Sequence, residues 1–205
     1  RPIDREGWMG SVAAIASEVR AGLYEKAVLA TTQQVVADGP ISVGRALARL
    51  RADYADCHLF TMTSGDATFL GASPELLVSL TRGRVHALGL AGSTRRGADP
   101  AEDERLATAL LESAKDRIEH ETVVRAIRER LEPATDELLA PNQPQLRRLR
   151  NIQHLSTEIS GRVRPGVDIL DLVQRLHPTP AVCGWPADRA REVIARHEAF
   201  DRGWY

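Results

Sequence analysis

The chain carries two lysines, Lys26 and Lys115, among 27 basic residues. Arginine fills every other basic position, so a position that keeps lysine is a candidate for chemistry that arginine cannot perform. Arginine stays protonated, whereas a crowded or buried lysine can lose its proton and act as a general base. Lys26 heads the apolar run Ala27-Val28-Leu29-Ala30 and is the foremost candidate. The alternative is an ordinary strand-edge cation in an arginine-rich composition. A group of opposite role stands in Gly71-Ala72-Ser73-Pro74-Glu75, a glycine-to-proline turn that ends on a carboxylate and leads into an apolar stretch. Pro74 restricts the backbone just before Glu75. A carboxyl among apolar neighbours has a raised pKa and can donate a proton near neutral pH. A surface glutamate at the start of a strand is the plainer reading.

Three more stretches have compositions suited to a site. Leu88-Gly89-Leu90-Ala91-Gly92-Ser93-Thr94-Arg95-Arg96-Gly97 reads as a loop between strand and helix. Its small residues let a backbone approach a ligand, and amides with arginines suit an anion. It lacks the Gly-Lys-Ser/Thr ending of a phosphate-binding loop. Lys115-Asp116-Arg117-Ile118-Glu119-His120-Glu121 has helical spacing, which puts Asp116, Glu119 and His120 on one face with Val123. Two carboxylates on an inward face make a site for a hard cation, and a solvated charged face is the alternative. Leu176-His177-Pro178-Thr179-Pro180-Ala181-Val182-Cys183-Gly184-Trp185-Pro186 is stiffened by its prolines. It reads as the rigid wall of a site or as a connector between helices.

The elements that must hold these residues follow from periodicity and punctuation. Helices are expected over residues 7–22, 43–50, 168–176 and 188–199, and from Asp99-Pro100 to about Leu131 with a break near Ser113. Strands are expected over 25–36, 58–62, 67–71, 76–80, 84–88 and 147–163, with hairpin turns at Ser64-Gly65-Asp66 and Arg82-Gly83. Helices and hairpins alternate without a βαβ rhythm. The expected class is therefore α+β, an antiparallel sheet covered by helices.

Bulk composition bounds the function. A net charge of -1, with acids and arginines interspersed, offers no field for nucleic acid or an anionic membrane. No apolar run approaches the roughly 18 residues of a membrane helix. Cys57 and Cys183 lack metal-ligand spacing, and a reduced cytoplasmic setting is expected. The chain starts at Arg1 and ends on Phe200-Asp201-Arg202-Gly203-Trp204-Tyr205, and both ends read as cut from a longer protein.

Taken in order, these blocks resemble the chorismate-utilising enzymes. Glu25-Lys26-Ala27-Val28-Leu29-Ala30 is similar to that family's Lys-Val-Val-Leu strand. GASPELL (71–77), LAGSTRRG (90–97), SAKDRIEHETVV (113–124), IQHLSTEISG (152–161) and LHPTPAVCGWP (176–186) each resemble a family block. His177-Pro178-Thr179-Pro180-Ala181 looks like the isochorismate synthase version; salicylate synthase is the nearest alternative, and a fragment that only binds substrate or partners is another. The resemblance implies an anthranilate-synthase-like fold, present here as a single chorismate-binding domain over 1–205 truncated at both ends. It implies chorismate as substrate, with water added at ring C2 and the C4 hydroxyl lost. Lys26 would be the base, Glu75 the acid, and His154 the histidine beside the reacting centre. Glu119 would help hold Mg2+ with Asp116 behind it, and Gly92, Ser93 and Ala181 would line the substrate pocket. Thr31 departs from the family, which usually has an arginine there. Exposed sheet edges imply self-association.

Overall fold

The computed structural model describes residues 4–205. In chain order its elements are α1 (Arg5–Arg20), β1 (Lys26–Ala27), α2 (Val43–Asp53), β2 (His58–Ser64), β3 (Ala67–Ser73), β4 (Ser79–Thr81) and β5 (Arg84–Arg95). There follow α3 (Pro100–Glu112), α4 (Ala114–Leu131), β6 (Thr135–Leu139), β7 (Gln145–Arg148), β8 (Ile152–Val163), α5 (Ile169–Leu176), β9 (Gly184–Trp185) and α6 (Ala187–His197). The class is α+β with antiparallel sheets, as expected. Among the described residues no helix is long and apolar enough to cross a membrane.

Local chemistry sets the helix boundaries. Asp99 accepts the Glu102 amide at the start of α3, with Pro100 in the first turn. Ser113 then takes an extended conformation, which ends α3, and its hydroxyl accepts the Asp116 amide to start α4. Asp168 and Asp171 form a reciprocal capping box on α5. Caps of this kind typically contribute about 1 kcal/mol each. Arg82 and Gly83 both have positive φ, 50° and 74°, in the two-residue turn that joins β4 to β5.

The chain forms two compact units, one made of residues up to Val43 with Pro178–Tyr205, the other of Gly44–His177. In the first, Ile15 of α1, Tyr24 and Val193 of α6 form a buried cluster, with Val19, Ala27 and Leu29 packed on it. β1 pairs with β9, Lys26 opposite Trp185 and Ala27 opposite Gly184. In the second, the sheet order is β4-β5-β8-β6, with β7 also pairing β8, and β2 and β3 form a separate hairpin. The α4 stripe Val123, Ala126, Ile127 and Leu131 is buried, as are Val85 and Ala87 of β5 and Leu155 and Ile159 of β8. That stripe is the inward face the helical spacing anticipated.

Four expectations are corrected. The strand expected over 25–36 shrinks to Lys26–Ala27, and Val35 and Val36 are 77% and 82% exposed. β-branched composition favours a strand only where a partner supplies hydrogen bonds and packing. The stretch 76–80 is irregular until Ser79. The glycine-rich stretch 88–97 is not a loop: β5 continues to Arg95. Residues 147–163 are not one strand but two, separated by a tight turn in which Leu149 donates to the Ile152 carbonyl at 2.9 Å. β6 was not anticipated.

Candidate active site

Gly92 explains how a strand can look like a loop. β5 and β8 run in register until Ala91, slip by one residue, and resume at Ser93 opposite His154. The extra residue is Gly92, at φ 77°, a β-bulge that uses the left-handed region glycine tolerates. A Cβ there would lie 3.1 Å from Asp116 Cβ and 3.2 Å from Leu155 Cδ1. The missing side chain thus lets α4 close onto the strand and carries Asp116 to it.

The bulge makes Ser93 and His154 direct cross-strand neighbours, and Ser93 Oγ lies 2.6 Å from His154 Nδ1. Arg147 on β7 is the next residue in the row, opposite His154. Burial pushes the His154 imidazole below its ordinary pKa, and the Arg147 charge acts in the same direction. His154 is therefore neutral at pH 7, with Nδ1 engaged by Ser93. Arg147 Nε is buried without a hydrogen-bond partner, and Arg147 borders a cavity of about 330 Å³ with Pro74, Leu76 and His86. Pro74 and Leu76 flank Glu75, whose amide donates to Ser73 Oγ at 3.2 Å. A larger cavity of about 410 Å³ lies along α4 between Arg117, Val124, Arg128 and Pro141. None of the site residues expected from the sequence lines either cavity; the smaller one adjoins them, with Pro74 and Leu76 on either side of Glu75 and Arg147 opposite His154.

On α4, Asp116 and Glu119 are both half-buried. Asp116 accepts from the Ser113 hydroxyl at 2.5 Å. Among the described residues, no three His, Cys, Asp or Glu side chains form a ready metal cage. His120 has a different role. Its Nδ1 lies 3.2 Å from the Ala91 carbonyl, which can only accept, so Nδ1 carries the proton. Nε2, 2.8 Å from Thr157 Oγ1, then accepts from that hydroxyl. Burial lowers the His120 pKa, which keeps this neutral tautomer. The histidine joins α4 to β5 and β8 one residue before the bulge.

The arginines of the glycine-rich stretch do not await an anion. Arg96 makes a bidentate pair with Asp103 of α3, 2.8 Å on each arm, and donates to the Leu149 carbonyl at 2.6 Å. Arg95 pairs with Glu102. The Gly97 and Ala98 amides go to the same two carboxylates. The Arg96 guanidinium, helped by the Gly97 amide, holds the Asp103 carboxyl down to about 2.

In the first unit, Lys26 is half-buried, and the Glu25 amide donates to the Trp185 carbonyl and the Val28 amide to the Cys183 carbonyl. Gly184, at φ 138°, leaves no room for a side chain: a Cβ would sit 2.2 Å from the Lys26 carbonyl. Ala181, half-buried, lies in the turn where Thr179 accepts from the Val182 and Cys183 amides. Lys26 and the proline loop are thus joined, as are Gly92, Ser93, His154 and Asp116. Arg147 and the His120 bridge were missed. The alternation of β7 carried the only sequence signal for Arg147.

The chain belongs to the chorismate-binding enzyme family, whose sequence profile matches residues 1–205. A salicylate biosynthesis isochorismate synthase of Pseudomonas aeruginosa is 47% identical over 202 residues, 98% of this chain and 42% of that protein. Among solved structures, the protein described as a 2,3-dihydroxybenzoate-specific isochorismate synthase, DhbC, of Bacillus anthracis superposes with a TM-score of 0.92 at 38% identity, over 97% of this chain and 55% of that one. Anthranilate synthase component I of Streptococcus pneumoniae shares the fold, with a TM-score of 0.81 at 25% identity, over 98% of this chain and 46% of that one. The chain therefore spans about half the length of the relatives it matches, 42% to 55%.

Proposed function

We propose that the protein containing this chain converts chorismate to isochorismate. The observation that carries this reading is the 47% identity, across nearly the whole chain, with a protein named for that activity. Lys26, in its neutral form, takes a proton from water as the water oxygen bonds to C2. The ring double bond shifts and the C4–O bond breaks. Glu75, in its protonated form, gives its proton to the departing hydroxyl, which leaves as water. A positioned acid or base of this kind typically supplies about 10²–10⁴ in rate. Neutral His154, braced by Ser93, offers Nε2 to the substrate, and Gly92 and Ala181 line the pocket with minimal bulk.

Glu119 and Asp116 suit Mg2+, which is held by one or two carboxylates and completes its shell with substrate and water. Asp116, already bound by the Ser113 hydroxyl, fits behind Glu119 as its support. When bound, the ion would neutralise the ring carboxylate of chorismate.

Incubation of the complete protein with chorismate and Mg2+, followed by chromatography for isochorismate, tests the reading. Pyruvate release, measured with lactate dehydrogenase, would identify a salicylate synthase instead, and no turnover would leave a binding role. A reducing cytoplasm fits Cys57 and Cys183, which form no disulfide. Residues 1–205 expressed alone should self-associate through open strand edges, seen as species larger than a monomer on size exclusion.

A further inference from the structure

The segment after Lys26 is hydrogen-bonded first by backbone, where the Val28 amide meets the Cys183 carbonyl, and then by two side chains. The Ala30 amide donates to Glu198 Oε1 at 2.6 Å. The Val28 carbonyl accepts from Arg202 Nη2 at 2.7 Å. The same guanidinium donates to Glu198 through Nε at 2.7 Å and Nη2 at 2.5 Å. Its Nη1 donates to the Val182 carbonyl at 3.1 Å. Glu198 thus supplies the acceptor, and Arg202 the donor, that a neighbouring strand would have offered. Their side chains are 4% and 19% exposed. Charge-assisted bonds are strong in such surroundings, and removing one partner strands a buried charge. Arg202 touches both Val28, two residues from Lys26, and Val182, next to Ala181. It therefore sets the spacing between the segment that carries the lysine and the proline loop.

We propose that Glu198 and Arg202 are positioning residues for Lys26, a side-chain substitute for a strand that holds the amine in place against the proline loop. The inference rests on the reading of Lys26 as the base. Three variants of the complete protein test it: Arg202→Gln, Arg202→Lys and Glu198→Gln. Arg202→Gln should lower kcat per folded molecule by about 10²-fold, since a misplacement near 1 Å costs that much. KM for chorismate should stay within about threefold, because uniform binding is untouched. Arg202→Lys, which keeps the charge but not the fork, should recover only part of the loss. The pH at which kcat reaches half its maximum should move in step with the pH at which Lys26 is acylated, read by mass spectrometry against Lys115. A merely structural role would not move that midpoint. Amide exchange at Ala30 should quicken while β5 and β8 keep their protection.

A kcat within about twofold of the parent in both Arg202→Gln and Glu198→Gln overturns the proposal. So does an unchanged acylation midpoint at Lys26. If Arg202→Gln does not accumulate as folded protein, the other two variants decide by the same readouts. If Lys26→Ala keeps full turnover, the reaction assignment fails. The clamp is then judged separately by Ala30 exchange and Lys26 acylation, and no change in either overturns it as well.

Discussion

The two units hold their proposed site residues by different means. Ser93 and His154 are paired across β5 and β8, strands of twelve residues each. Their positions are set by a long backbone ladder with a buried helix behind it. Lys26 rides on a strand of two residues, held by one carbonyl–amide ladder and a pair of charged side chains. A ladder distributes its load, so loss of one side chain leaves register intact. A clamp concentrates its load on a few groups. Side-chain substitutions should therefore perturb the lysine's position more than the histidine's.

The largest expected effect would break this comparison at its root. Lys26→Ala should cost about 10²–10⁴ in kcat with no change in Tm, whereas Lys115→Ala, on an exposed part of α4, should leave turnover unchanged. Retained turnover in Lys26→Ala would remove the lysine from the site. Next, Leu155→Ala empties a fully buried position in β8 and should cost about 2–5 kcal/mol in urea denaturation. Exchange protection should be lost in β5 and β8 rather than at Ala27 and Val28. Gly184→Ala should cost about 1–3 kcal/mol through its strained φ and the contact with the Lys26 carbonyl. It should also lower kcat, which Leu155→Ala should affect less per kcal/mol lost. Ser113→Ala removes the α4 cap and should cost about 1 kcal/mol, read as a shift in the urea midpoint. The smallest effect lies at acid pH. Asp103 has a pKa lowered to about 2 by Arg96, so its contribution to stability is present above the ordinary aspartate pKa. It is lost as pH falls from there toward 2. Arg96→Gln should flatten that part of the stability profile, measured by urea midpoints between pH 5 and 2.

The parts of the fold legible in sequence are those set by neighbours in the chain. Asp99-Pro100, Asp168 and Arg82-Gly83 act within a few residues of themselves, and each did what its local chemistry implies. The α4 stripe was legible because 3.6-residue spacing survives any tertiary setting. Residues 28–36 failed because a strand needs a partner, and no local pattern says whether one is present. The glycine-rich stretch misled for a related reason. Gly92 is there for the close approach of Asp116 and Leu155, contacts 24 and 63 positions away, and a glycine of that kind looks the same in sequence as one in a loop. Glu198 and Arg202 show the helical i, i+4 spacing of an ordinary surface pair. Only the fold reveals that they face a backbone about 170 positions earlier.

The bulge at Gly92 has a further meaning when the strand is treated as a counting device. Side chains alternate faces, so parity decides which residues share a surface. Before the bulge, His86, Leu88 and Leu90 stand opposite Ser160, Glu158 and Ser156 of β8. After it, Ser93 and Arg95 stand opposite His154 and Ile152. Even numbers of β5 share the face of the β8 row His154, Ser156 and Glu158 first, odd numbers afterwards, and Gly92 is the point where the count changes. Deleting that one residue would keep Ala91 opposite Leu155 and Ser93 opposite His154, so its loss would be read in the close approach of Asp116 to the strand rather than in the register. The strand thus absorbs a single small residue without losing one cross-strand partner.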